Sequence, residues 1–342
     1  MTLPRQSYYN LRTEQDIERR SDMFNTALFE TTLINVIILL ICIIPGYCLA
    51  KASLLKTDHL PAFSVILVYL CGPCLVMSAF FSLRYDATEA LRMILFFFVS
   101  LGLQLLFIIV LYFLLKRKYE EPKYRVLTIG AVLGNTGFFG LPVITSLFPG
   151  YPVVACYSVV FTVTMNLLVF TIGVFCLTND RKYMSLKPAI MNPMSIGVVV
   201  GVAVYLLAPH VHLSGAAASI AARFADTVGI VSRMSTPLCM TVLGVRLASV
   251  SFRSLFTRSF VYMTTALKLL VFPLFCWAIL LPFPLDPVFK ASVLVLASVP
   301  NASVMLSMAE LHHGETELAA NTLLVTTLLC FVSMPVLASF LI

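Results

Sequence analysis

Apolar runs dominate this chain. About ten of them, each of roughly 20–25 residues, follow one another from residue 27 onward. That is the length a helix needs to cross the hydrocarbon core of a bilayer. In that medium every backbone N–H and C=O must be satisfied within the protein, and runs of this length do so as helices. The chain is 60% hydrophobic and 11% charged, against about a quarter charged in a soluble domain. The expected fold class is an all-α polytopic membrane protein of about ten transmembrane helices.

The spans fall at 27–50, 60–83, 90–115, 125–147, 152–176, 190–207, 225–250, 259–281, 287–311 and from 318 on. A polar tail, 1–26, precedes them, and a polar loop, 177–189, divides them into two sets of five. The first span follows a polar segment and is long enough to cross, so it reads as a span rather than a signal peptide. Met23, directly before it, is a second candidate start.

Span four carries an unusual interruption. GNTGFFGLP places Gly134, Gly137, Gly140 and Pro142 within nine residues of an apolar run. Glycine weakens a helix there, and proline removes a donor and frees a carbonyl one turn back. Two readings stand. One is a kinked helix packed through small residues. The other is a broken helix lining a cavity, whose free backbone groups and Asn135 amide hold a ligand.

A second interruption follows one repeat later. Asn135 in span four and Asn301, after Pro300 in span nine, are 166 residues apart; Pro73 in span two and Pro237 in span seven are 164 apart. Two landmarks at nearly one offset indicate two five-span repeats, 27–176 and 190–342. Five is odd, so the repeats must be inverted in the membrane. Paired broken helices in inverted repeats are a transporter pattern, with the site where the breaks meet. Chance alignment of prolines is the competing explanation.

Basic residues cluster in alternate loops: Lys51 and Lys56, Lys116 to Arg125, Arg181 to Lys187, and Arg246 to Arg258. This places those loops, the connecting loop among them, in the cytoplasm and both termini outside the cell (inner) membrane. The net charge of +7 therefore reflects topology, and no nucleic-acid partner is expected. The loop between spans nine and ten departs from the pattern, with Glu310, Glu315 and Glu317 and no Lys or Arg. All nine cysteines fall in apolar segments; Cys71 and Cys74 form C-x-x-C without a second pair, so no zinc site or disulfide framework is expected.

GNTGFFGLPV in span four, with LASVPNASVMLSMAE and HHGETELAANTLLVTTLL in spans nine and ten, resembles the auxin efflux carrier family, which includes the plant PIN-FORMED carriers and bacterial members. The Asn192-Pro193 opening of span six and the Pro237 to Gly244 spacing fit as well. The likeness covers about residues 27–342. It implies ten spans in inverted repeats, crossing broken helices four and nine, elevator-type alternating access and small organic anions as substrates. Dimerisation through spans one, two and seven is implied by resemblance alone. Val299-Pro300 stands where many members have Met-Pro, and the long central loop of the plant carriers is absent.

In such a site the N-terminal ends of the second half-helices suit a carboxylate. Candidate substrate-binding residues are Asn135, Gly137, Pro142, Pro300, Asn301 and Ser303. Two cations inside apolar spans, Lys268 and Arg233, are candidates for charge compensation or coupling, because a central Lys or Arg is costly unless it faces an interior. The alternatives for both are snorkelling or a structural role on carbonyls freed at a break. Asn166 in span five is a further polar candidate, with an interhelical hydrogen bond as its other reading. His210, His212, His312 and His313 sit at loop edges and read as solvated. Central acids of a sodium or proton relay are missing, which favours uniport or proton coupling through Lys268. No cofactor or metal is expected. An enzyme would need a catalytic motif and a receptor an attached signalling domain; neither is visible.

Overall fold

The computed structural model describes residues 25–178, 182, 184–185, 187–211, 214–251, 255, 258–311 and 315–341. The charged tail with Met23, Asn179 to Arg181, His212, Arg253, His312 and His313 lie outside the described residues.

Among the described residues, seven helices are long and apolar enough to cross a membrane: Thr26–Lys51, Thr57–Phe81, Ala87–Lys118, Val153–Thr178, Gly215–Ser249, Ser259–Leu280 and Thr316–Phe340. They are spans one, two, three, five, seven, eight and ten. Span six is the shorter helix Pro193–Leu207. Spans four and nine are each two pieces, Pro122–Gly130 with Thr136–Leu147, and Pro287–Ala297 with Ser303–Leu311. This is an all-α polytopic membrane fold.

Short polar residues set the helix starts. Asn25 opens span one by accepting from the Leu28 N–H. Asp86 opens span three by accepting from Thr88 and Glu89 at 2.8 and 3.1 Å. Asn192 does the same for span six, and Asp286 for span nine. Each satisfies N–H groups that the first helical turn leaves without a partner. Span seven begins at Gly215, ten residues before the expected Ala225. Hydropathy falls at Arg223 and Asp226, but the preceding GAAASIAA is strongly helix-forming and continues the helix past the apolar window.

Three prolines follow a widened helical turn, whereas Pro237 and Pro335 sit in continuous helices. Wide π-type turns at Leu67–Cys71, Thr136–Gly140 and Leu267–Val271 each end two residues before a proline, Pro73, Pro142 and Pro273. Proline cannot donate to the carbonyl four residues back, and the wider turn accommodates its ring.

The packing joins spans of the first set of five to spans of the second. Span one lies on span seven, and span six on span two. Those contacts are close enough to require glycine. A Cβ on Gly46 would come within 2.1 Å of the Thr241 carbonyl oxygen, and one on Gly244 within 2.2 Å of that of Ile43. Spans one, two, six and seven thus form one group. In the other group, Phe96 of span three stacks on Tyr157 of span five with centroids 4.3 Å apart. Buried Gln104 donates to Thr164 beside Ser100. Spans eight and ten pack together in the corresponding way. At one end of the bundle Arg258 pairs with Glu315 and Glu317 at 3.0 and 2.6 Å. The acidic loop between spans nine and ten therefore meets the basic loop between seven and eight, at the end that alternation assigns to both.

Candidate functional site

The two breaks meet. Gly134 and Asn301 pair as an isolated antiparallel bridge. The Asn135 N–H donates to the Pro300 carbonyl at 2.8 Å. Two helices that stop in mid-protein leave carbonyls at their C-terminal ends and N–H groups at the following starts. Extended backbone at the crossing satisfies part of this, and three side chains take most of the remainder.

Asn301 and Lys268 serve the carbonyl ends. The Asn301 amide donates to Gly130 O at 2.6 Å and to Leu133 O at 2.9 Å. The Lys268 ammonium donates to Ala297 O at 2.8 Å and to Val132 O at 3.3 Å. Lys268 is fully buried on the wide turn of span eight, with its Nζ 5.1 Å from the centre of the Phe272 ring. One cation thus sits where the negative ends of two half-helix dipoles converge. A side chain on Gly134 would intrude here, its Cβ 3.0 Å from Lys268 Nζ.

Asn135 serves the opposite end. Its Oδ1 accepts from the Phe138 N–H at 3.3 Å, and its Nδ2 lies 3.6 Å from the Cys239 sulfur of span seven. The two asparagines share the bridge but point to different partners. Asn301 spends its amide on the first break, leaving its Oδ1 buried without a partner among the described residues. Thr136, Thr162 and Ser158 continue the polar line into span five, through a hydroxyl pair at 2.6 Å and a Ser158 donation to Thr136 O at 2.7 Å. The Asn301 N–H reaches the Thr326 hydroxyl of span ten at 3.1 Å.

Pro142 and Arg233 lie elsewhere, lining a shared cavity of about 330 Å³ between spans two and seven on one side and four and five on the other. Thr236 of span seven also lines it and donates to Phe138 O at 2.8 Å. Thr236 and Cys239, one turn apart on span seven, therefore connect the cavity to Asn135. Arg233 is exposed in this space. Gly137 is buried in the wide turn after Asn135, and Ser303 opens the second half of span nine. Asn166 turns to span six instead, its Nδ2 3.9 Å from the Met194 sulfur, while its neighbour Met165 accepts from the Gly134 N–H at 3.2 Å.

Thr162, Thr326, Gln104 and Thr236 were not among the residues singled out from the sequence. A signal for three of them exists there. Thr162 and Thr326 are 164 residues apart, and so are Gln104 and Lys268, the offset set by Pro73 and Pro237. The repeat thus pairs a polar amide in span three with a lysine in span eight.

A protein-family model described as "Membrane transport protein" matches residues 31–338. No curated protein gives a significant sequence match.

Proposed function

This chain belongs to the auxin efflux carrier family of membrane transport proteins, and we propose that it is a secondary carrier for a small organic anion, exporting it across the inner membrane. The observation that carries this reading is the crossing itself: Asn135 bonded to Pro300 at 2.8 Å, with an arginine-lined cavity reached along span seven. N–H groups at the start of the second half-helices attract an anion, while Asn135, whose Oδ1 caps one of them, adds an Nδ2 donor without the cost of a buried acid. The group of spans one, two, six and seven acts as scaffold, and the crossing moves against it in an elevator-type cycle. The group's glycine-mediated contacts suit a rigid body. In keeping with the basic loops, both termini lie on the extracytoplasmic side.

A second reading, a cation-coupled carrier, draws on Lys268. An amine against two carbonyls can hold or release a proton at the crossing, which would couple substrate to proton movement. Uptake of labelled carboxylates into proteoliposomes tests the first reading. Asn135→Ala is expected to abolish uptake while the protein still melts cooperatively, and unchanged uptake would remove the crossing from the mechanism. For the second, Lys268→Gln is assayed across pH, and an unaltered profile excludes proton coupling through this residue.

A further inference from the structure

We infer that the cavity beside Arg233 selects a monocarboxylate bearing a hydroxyl group, in preference to a dicarboxylate or an aromatic acid. The inference rests on the anion-carrier reading above and narrows its substrate class.

The lining supplies the chemistry. Arg233 is the cation lining the cavity among the described residues, and no aromatic ring lines it among them. A guanidinium offers a planar fork that matches one carboxylate. The other polar groups are five hydroxyls, those of Ser78, Ser82, Thr145, Ser232 and Thr236, and three of the five have already spent their hydrogen. Thr145 donates to Leu141 O at 2.8 Å, Ser82 to Ala79 O at 2.8 Å, and Thr236 to Phe138 O at 2.8 Å. A hydroxyl has one hydrogen and two lone pairs. These three oxygens are thereby left as acceptors, which attract a substrate O–H and oppose a second carboxylate. An indole ring would find neither a stacking partner nor a wholly apolar wall. A ligand with one anionic end and a donor beside it satisfies both kinds of group. The cavity lies among the last turns of spans two and four and the first turn of span five, nearer the end of the bundle that carries Arg84.

The test uses purified full-length protein in nanodiscs, with lactate, propionate, malate and indole-3-acetate as probes in calorimetric titration. Lactate is expected to bind most tightly. Propionate, which lacks the hydroxyl, is expected to bind roughly tenfold more weakly. Arg233→Gln should remove lactate binding and Arg233→Lys should retain part of it. Thr145→Val preserves shape while deleting an acceptor, and should erase the lactate-over-propionate preference without altering the melting temperature. Tighter binding of malate or indole-3-acetate than of lactate overturns the inference. If Arg233→Gln leaves lactate binding intact and Asn135→Ala abolishes it, the inference fails and the crossing keeps its role. If no carboxylate binds the folded protein, both fall.

Discussion

The side-chain amide of Asn301 donates to the carbonyl of Gly130 at 2.6 Å, across 171 residues of sequence. The second break is thus the cap of the first. Removing the amide in Asn301→Ala leaves the Gly130 and Leu133 carbonyls buried and unmet, at a cost of roughly 2–4 kcal/mol. A thermal melt in detergent should show a clear fall. Asn135→Ala, which loses one long bond to its own turn and a weak sulfur contact, should melt close to the parent. Equal losses in the two variants would contradict this division between them.

Lys268 carries the corresponding burden at Ala297 and Val132. Lys268→Met keeps the aliphatic volume and deletes the donors, so a loss of roughly 1–3 kcal/mol per orphaned carbonyl is expected. Lys268→Gln retains an N–H donor and should lose less. Chemical denaturation of both variants in mild detergent measures the difference; Met and Gln behaving alike would mean that the carbonyls find water instead.

Gly46 and Gly244 allow spans one and seven to touch backbone to backbone. Gly244→Val forces them apart, because the obstruction is a main-chain oxygen and not a movable side chain. The expected cost is about 1–3 kcal/mol or more, with loss of transport. The control is Gly102→Val, where a Cβ meets nothing within 4 Å. A wild-type melt for Gly244→Val would show that the two helices are not closely held.

Single cysteines introduced at Lys56, Arg84 and Arg258 in a cysteine-free background report orientation. Membrane-impermeant maleimide on intact cells should label the Arg84 site and spare the other two, and inverted vesicles should reverse the pattern. Labelling of Lys56 and Arg258 from outside would invert the assignment made from the basic loops.

Much of this architecture is legible in the sequence, because membrane length and the ban on unmet backbone groups leave few options. The breaks at Asn135 and Pro300-Asn301 follow from glycine and proline in apolar runs, and their pairing from a repeated offset. What the residues then do is less legible. Asn135 and Asn301 look equivalent in sequence, yet one caps its own half-helix and the other caps its partner. Only three-dimensional proximity decides that, since Asn301 reaches back to Gly130 and Leu133. Lys268 read equally as a functional cation and as a snorkelling or structural one, and its burial against the Val132 and Ala297 carbonyls is not written in hydropathy. Arg233 and Pro142 come together in one cavity although their spans belong to different repeats. The early start of span seven shows the reverse case, where local helix propensity outruns the apolar signal.

Lys268 is tethered to span eight and bonded to the crossing, and this has an electrical consequence. A diffusible counter-ion departs with the substrate; a tethered one cannot. In a carrier that shuttles its crossing, a bound monoanion cancels the ammonium, so the loaded stroke moves no net charge. The empty return carries one positive charge through the field, worth about 2.3 kcal/mol per 100 mV. Voltage then acts on the return alone. In proteoliposomes clamped with potassium and valinomycin, net efflux should vary with the imposed potential while one-for-one exchange, which skips the empty return, should not. Exchange that responds to voltage as steeply as net flux would place the moving charge elsewhere.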